Sequence, residues 1–463
     1  MTHDVLIIGA GPGGYVAAIR ARQLGLTVGL IEQSHLGGIC LNWGCIPTKT
    51  MLKGVDLAHQ ITHAKRFGLT ATPVSVEAAG LVARAGEVSG QLTAGIAFLL
   101  KKNGVDLIWG SAKLTAAGQV SVTASATPAP RGALPPGDYA APHVILATGA
   151  SPRALPGLEP DGRLVWTYRE ALRPVAAPES LIVVGSGAIG VEFASIYAAL
   201  GARVTIIEQQ DRILPLEDAE IGGLMAKALA KRGIAQHVGV TVARLDRHAD
   251  SVTAHLSDGT VVQAARLLSA AGVVANTAGL GLEALGLTLS RGVVAVGPQG
   301  QTNIPGLYAI GDLAGPPMLA HKAEHDGIAC VEAIAGRAPH AKGPIPACIY
   351  ASPQVASVGL TEALALAQGL VPRIGRFSLR GNGKALVLGE PDGLVKTVFG
   401  PDDRLIGAQI IGAEASELIH ALTLAVTLGA TRAQLAATVF PHPTLSEAIH
   451  ESVLAAGEGA IHA

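Results

Sequence analysis

The chain has little net charge, few cysteines for its length and no long apolar run, and each shortage removes a class of function. Lys+Arg total 34 against 35 Asp+Glu, a formal net charge of −1, and charged residues make up only 15% of the chain. Nothing in that balance favours nucleic acid or an anionic membrane as partner, and neither is expected. Four cysteines in 463 residues do not make a disulfide-stapled secreted scaffold and suit a reducing compartment. Cys330 and Cys348 are expected to be ordinary buried thiols. No charged leader precedes the first apolar run, Val5-Leu6-Ile7-Ile8, so no secretory signal is expected. The expected compartment is the cytoplasm, or the mitochondrial matrix where a transit peptide has been removed. The apolar stretch Leu418–Ala430 contains His420, is too short to span a bilayer and is expected to be a buried helix. The 58 glycines and 27 prolines form no low-complexity tract and punctuate strands and turns, as an α/β chain requires.

One supersecondary unit occurs twice. Val5-Leu6-Ile7-Ile8-Gly9-x-Gly11-x-x-Gly14 leads into a helix of small residues and then Val28-Gly29-Leu30-Ile31-Glu32. Leu181-Ile182-Val183-Val184-Gly185-x-Gly187-x-x-Gly190 leads into a second helix and then Val204-Thr205-Ile206-Ile207-Glu208. In both, the acid follows the first glycine by 23 positions. The first glycine makes a tight strand-to-helix turn, the second admits a pyrophosphate to the backbone, and the third lets helix and strand pack closely. The helix N-terminus offers free N–H groups and partial positive charge, and the carboxylate accepts from ribose hydroxyls. One such pattern in a glycine-rich chain is weak evidence; two in strand–turn–helix–strand context are strong. Glu208 repels a 2′-phosphate and Gln209 and Gln210 offer it no cation, so NAD is expected over NADP, although Arg212 lies near.

Between the first unit and the next helix runs Gly37-Gly38-Ile39-Cys40-Leu41-Asn42-Trp43-Gly44-Cys45-Ile46-Pro47-Thr48-Lys49. A cysteine pair at this spacing is open to several readings: half a metal site, two buried thiols, or a dithiol that closes to a disulfide. His35 is the one other good metal ligand nearby, and no metal is expected. A dithiol beside a dinucleotide turn is a two-electron store.

The cysteine run resembles the redox-active disulfide of the flavoprotein disulfide reductases, and its wording is most similar to those that oxidise dihydrolipoyl groups. The resemblance runs end to end. It implies an α/β chain with two Rossmann-like dinucleotide-binding domains, for FAD and NAD, and a C-terminal α+β dimerisation domain. The boundaries expected are 1–145 for the first part of the FAD domain, with an inserted β-rich stretch, and 146–270 for the NAD domain. Residues 271–340 would return to the FAD domain, and 341–463 would form the interface domain. Thr127–Ala141, rich in Pro and Ala, is expected to be a surface loop, and the short linkers to give tightly joined domains.

Residue by residue, the resemblance gives FAD to Gly9, Gly11, Gly14, Glu32 and Lys49, and to Thr148 and Gly149 of an Ala-Thr-Gly crossover. Asp312, in Ala309-Ile310-Gly311-Asp312, would bind the ribityl chain, with Ala320 nearby. Gly185, Gly187, Gly190, Glu208 and Gly272 would serve NAD. Cys40 and Cys45 would be the disulfide, and Lys49 and Glu192 a pair tuning the flavin. His442 and Glu447, in His442-Pro443-Thr444-Leu445-Ser446-Glu447, would be general base and orienting acid, acting across a homodimer. The reaction implied is oxidation of lipoyl-bearing proteins of 2-oxo acid dehydrogenase complexes or glycine cleavage. Two alternatives stand beside it: another NADH-dependent disulfide or mercuric reductase, and a redox-silent FAD-binding scaffold. Residues 457–463 lack the second cysteine pair of mercuric reductase-like and large thioredoxin reductase-like enzymes, and Ala188 stands where glutathione reductase-like enzymes often carry an aromatic lid. Val273 and Ala275 replace an Arg and a Pro usual in the family.

Overall fold

The structure is a computed structural model that describes residues 2–72, 74–338 and 343–462. The boundary expected at 340/341 and the terminal Ala463 lie outside the described residues. The chain divides into two compact units.

The first unit comprises Met1–Thr50, Ala83–Arg153 and Val273–Ala341. Its centre is a five-stranded sheet in the spatial order Leu307–Ala309, His143–Leu146, Val5–Ile8, Val28–Glu32, Asp106–Trp109. All four pairings are parallel, with Val5 opposite both Val28 and His143. Parallel sheets need both faces covered, which is why the central strands read as unbroken apolar runs. Ile7, Leu30 and Ile145 pack on one side with Ala17 and Val331 of the flanking helices; Leu6, Ile31 and Val144 pack on the other. The expected β-rich insertion is an antiparallel sheet of Ser111–Ala116, Gln119–Thr123 and Gly137–Ala140. Its last strand corrects the reading of Thr127–Ala141 as a surface loop. Gly137–Ala140 pairs with Gln119–Val122 and Tyr139 is buried, because alternation in Asp138-Tyr139-Ala140 outweighs the proline-rich lead-in.

The second unit comprises Met51–Val82, Ala154–Gly272 and Lys342–Ala463. It repeats the parallel sheet, in the order Ala235–Val238, Arg203–Glu208, Ser180–Val184, Arg266–Ser269, Val165–Trp166. The C-terminal part is an antiparallel sheet ordered Ala347–Ile349, Gln354–Gly359, Leu405–Gly412, Leu394–Phe399, Arg373–Ser378. Helices Ala415–Leu428 and Glu447–Ala455 lie against it, burying Ile419, Leu422 and Ile449 with Val395 and Ile410. The two parts are joined through a buried ion cluster: Lys396 Nζ lies 2.9 Å from Asp218 Oδ2 and 2.9 Å from Glu362 Oε2. A lysine at 2% exposure needs such partners, and Asp218 also caps the helix Ala219–Lys231.

Two further expectations change. Ala415–Leu428 is not buried all round: His420 is exposed, and Leu424 and Leu428 are 52% and 71% exposed. Its apolar content exceeds the stripe that the sheet can cover. Cys330 is fully buried, but Cys348 is only partly so, because it lies on the sheet's edge strand Ala347–Ile349. Among the described residues no helix is long and apolar enough to cross a membrane.

Candidate active site

The glycine turns lie where each sheet's strand order reverses, at the carboxyl ends of the strands, the usual ligand position in open α/β sheets. Gly9 and Gly185 take φ 105° and 103°, open to glycine at little cost. A Cβ on Gly14 would strike Gly9 O, and one on Gly190 would strike Gly185 O; both glycines are required by the protein itself. Gly11 and Gly187 differ. A Cβ on Gly187 would meet nothing within 4 Å, and one on Gly11 only Gly38 Cα at 4.0 Å. Each caps a 12-residue helix without a side-chain hydrogen bond, leaving backbone N–H groups of the first turn available to an anion.

The acids are held alike. Glu32 Oε2 accepts from Ala10 N–H at 2.8 Å and Oε1 from Ser34 N–H at 2.8 Å. Glu208 Oε2 accepts from Ser186 N–H at 2.7 Å and Ser186 Oγ at 2.8 Å, and Oε1 from Gln210 N–H at 2.8 Å. Each carboxylate is thereby fixed against its turn, and its further lone pairs can take ribose hydroxyls. Ser186 was not legible as a partner, since it occupies a variable position of the motif.

The repeat extends to a third segment that pattern reading missed. Ala147 N–H bonds Ile8 O at 2.8 Å, and Ala270 N–H bonds Val184 O at 2.8 Å. Ala147-Thr148-Gly149 and Ala270-Ala271-Gly272 therefore cover equivalent strand ends, and Gly149 and Gly272 share a left-handed φ of 69° and 86°. Thr148 and Gly149 are clamped by Asn276: its Nδ2 donates to Thr148 O at 2.9 Å, its N–H to Gly149 O at 2.9 Å, and Thr148 Oγ1 donates to its carbonyl at 2.9 Å. Val273 and Ala275, which replace the usual Arg and Pro, form a short strand paired with Ala150–Pro152.

The cysteines lie directly against the first turn. Gly37 N–H donates to Ala10 O at 2.8 Å, and a Cβ on Gly38 would come within 2.8 Å of Gly11 Cα. Cys40 lies in the helix Gly38–Trp43 and Cys45 opens the 18-residue helix Cys45–Thr62, a terminus that favours negative charge on its sulfur. Asn42 Nδ2 donates to Leu36 O at 3.0 Å and Gly38 O at 2.8 Å, bracing the bend. Neither cysteine is in a disulfide, and both are partly buried. The Cys40 thiol is hydrogen-bonded to Cys45, and this bond, then burial, holds it well above the usual range; the Lys49 charge pulls the other way. Glu324 adds its charge near Cys40, and burial raises its own carboxyl.

Asp312 is in the short turn Gly311–Ala314 and caps no helix by its side chain. Burial raises its carboxyl, against the charge of Lys322. Lys322, itself buried, donates to Gly311 O at 3.0 Å and pairs with Asp326 at 2.9 Å. This brace was not read from the sequence. Ala320 opens the helix Ala320–Ile334 that follows.

Glu192, His442 and Glu447 belong to the second unit, and Lys49, Cys40 and Cys45 to the first. Glu192 is no surface charge: it is 4% exposed and accepts from Tyr350 N–H at 2.9 Å. His442 Nδ1 lies 2.9 Å from Glu447 Oε1, while Glu447 Oε2 accepts from Thr444 N–H at 2.8 Å. The Thr444 hydrogen bond, then His442, hold the Glu447 carboxyl below the usual range. It is an acceptor, so His442 Nδ1 carries the proton and Nε2 is left free to take one. The imidazole is 79% exposed. Gln354, given no role by pattern, accepts from Ser416 N–H and Oγ at 3.1 and 2.9 Å.

Two dinucleotide turns on one chain, with a dithiol against the first, define an oxidoreductase that moves electron pairs between a pyridine nucleotide and sulfur. Comparison with known proteins agrees. Residues 3–327 match the pyridine nucleotide-disulphide oxidoreductase model and residues 345–453 that family's dimerisation domain. The chain is 52% identical to the dihydrolipoyl dehydrogenase of Rhizobium etli, covering 98% of both chains, and 48% identical to that of Zymomonas mobilis, covering 99% of both. The crystal structure of LpdA from Mycobacterium tuberculosis superposes with a TM-score of 0.88 at 31% identity, over 97% of this chain and 98% of that one. This chain belongs to the pyridine nucleotide-disulphide oxidoreductase family, and its cofactors are FAD and NAD.

Proposed function

We propose that this chain oxidises protein-bound dihydrolipoyl groups to the cyclic disulfide and passes the electron pair to NAD. The observation that best supports this is the Cys40–Cys45 dithiol lodged against the first glycine turn, its two sulfurs hydrogen-bonded to each other. In the proposed cycle the pair begins as a disulfide. His442 Nε2 takes a proton from one substrate thiol, and the imidazolium formed is stabilised by Glu447. The substrate thiolate attacks Cys40 Sγ; the Cys40–Cys45 bond breaks and Cys45 leaves as thiolate. The second substrate thiol attacks the substrate sulfur bound to Cys40, and its proton passes to the Cys40 sulfur that it displaces. The cyclic disulfide is released, Cys40 regains a proton, and the cysteines hold the electron pair. When bound, FAD would supply the two-electron acceptor beside the cysteines, from which NAD is reduced by a hydride. Gly9, Gly11, Gly14, Glu32, Thr148, Gly149, Asp312 and Ala320 would hold it, and Gly185, Gly187, Gly190, Glu208 and Gly272 the NAD. Lys49 and Glu192 would pair beside the flavin.

The domain reading goes with this: 1–145 and 271–340 for FAD, 146–270 for NAD and 341–463 for a homodimer interface. Lipoyl carriers of 2-oxo acid dehydrogenases or of glycine cleavage are the proposed partners, in the cytoplasm or the mitochondrial matrix.

The test is a substrate panel. Dihydrolipoamide should drive NADH formation, and NADPH with glutathione disulfide should give no turnover. NADP should serve at least about a hundredfold less well than NAD, because a phosphate dianion would face the fixed Glu208 carboxylate at a cost of several kcal/mol. Turnover with glutathione disulfide and none with dihydrolipoamide would refute the proposal.

The two glycine classes give a second prediction. Gly187→Ala should melt like the parent but raise the KM for NAD at least about tenfold, since its methyl fills ligand space alone. Gly190→Ala should lower the melting temperature by several degrees, since its methyl meets backbone. Thermal melting and NAD titration of both variants check it; an unchanged KM in Gly187→Ala would count against the assigned site.

A further inference from the structure

His442 and Glu447 lie on a segment whose shape is set from a distant part of the chain. Asn382 is 4% exposed, and both ends of its amide are used. Its Oδ1 accepts from Ala385 N–H at 2.9 Å, capping the helix Gly383–Leu388, and its Nδ2 donates to Thr444 O at 3.0 Å, across 62 positions. The partners fix the amide's orientation, since an N–H requires the oxygen and a carbonyl requires the nitrogen.

Thr444 is the knot of the His442–Glu447 segment. Its N–H holds Glu447 Oε2 at 2.8 Å, and its Oγ1 donates to Pro441 O at 2.8 Å. Its carbonyl is the remaining polar group, and Asn382 takes it. With both sides of Thr444 pinned, the Glu447 carboxylate keeps its second oxygen 2.9 Å from His442 Nδ1. The imidazole itself is largely exposed and has little packing of its own, so its aim depends on that carboxylate.

We infer that Asn382 is a positioning residue for the His442–Glu447 pair, acting through the Thr444 carbonyl. This rests on the reading of His442 as base and Glu447 as its orienting acid. A purely structural role, capping Gly383–Leu388, is separable. Asn382→Asp keeps an acceptor for Ala385 N–H but, ionised, has no donor for Thr444 O. Asn382→Ser also caps a helix, and its shorter side chain cannot span to Thr444; it serves if the aspartate variant folds poorly.

The experiment uses the FAD-loaded enzyme and compares Asn382→Asp, Asn382→Ser, Glu447→Gln and the Asn382→Asp/Glu447→Gln double variant. Losing one hydrogen bond that orients the base should lower kcat for dihydrolipoamide about tenfold. The KM for NAD should hold, as should NADH-driven reduction of ferricyanide, which needs no proton taken from a thiol. The acid limb of kcat against pH should move to lower pH, because an imidazolium less well paired with Glu447 loses its proton sooner. In the double variant the added loss should fall below about twofold, since both changes act on one pair. Normal kcat in both Asn382 variants beside an impaired Glu447→Gln would overturn the proposal alone. So would full additivity, or an equal loss with ferricyanide. Normal dihydrolipoamide turnover in Glu447→Gln would overturn the base reading, and the proposal with it.

Discussion

Cys45→Ser should retain its flavin and lose dihydrolipoamide turnover by about three orders of magnitude or more, the scale on which removal of a covalent group acts. Two cysteines hold an electron pair only as a pair. With one sulfur, attack at position 40 has no leaving group, so the exchange cannot begin. Serine is close in volume to cysteine and the position is partly buried, so the fold should survive. Asn42 and the Gly37–Ala10 bond, which shape the bend, do not involve the Cys45 sulfur. Steady-state NADH formation with a flavin absorbance spectrum checks this. Near-normal turnover in a flavin-loaded variant would remove the relay.

The second large effect is a recovery. His442 stands about 400 positions beyond Cys40, and the family's dimerisation domain covers 345–453. If His442 serves the partner subunit's cysteines, neither a Cys45→Ser chain nor a His442→Gln chain is active alone. A heterodimer of the two then has one site with both lesions and one with neither. Activity should return, up to about half the wild-type rate per heterodimer, because a two-fold dimer has two equivalent sites. If His442 serves its own chain, every site keeps one lesion. Differently tagged subunits, exchanged and purified as heterodimers, decide it: no recovery in proven heterodimers would rule out the shared base.

What the sequence made legible was what local spacing carries. The two glycine turns, Glu32 and Glu208 stand in fixed intervals because one strand–turn–helix–strand unit fixes them, and the structure repeats them in matching hydrogen bonds. The cysteine run was legible because it is contiguous. Residues that act over long separations were not. Asn276 clamps Thr148 from 128 positions away and Lys396 meets Asp218 across 178, and local spacing does not state what either side chain reaches. The third repeated segment escaped because Ala270-Ala271-Gly272 keeps only the alanine and glycine of Ala147-Thr148-Gly149. Burial was misjudged where composition stood in for geometry: Ala415–Leu428 is apolar enough for a core, but the sheet covers one stripe of it.

The central claim is that substrate electrons pass through Cys40 and Cys45, and mapping the thiols tests it most directly. The FAD-loaded enzyme is treated anaerobically with dihydrolipoamide without NAD, quenched in denaturant with iodoacetamide, and mapped by mass spectrometry. Cys330 and Cys348 report complete labelling in every sample. Before substrate, Cys40 and Cys45 should be unlabelled as a disulfide; after it, both should be labelled; and on adding NAD the labelling should fall as NADH forms. NADH formation from dihydrolipoamide with Cys40 and Cys45 unchanged throughout would contradict the account.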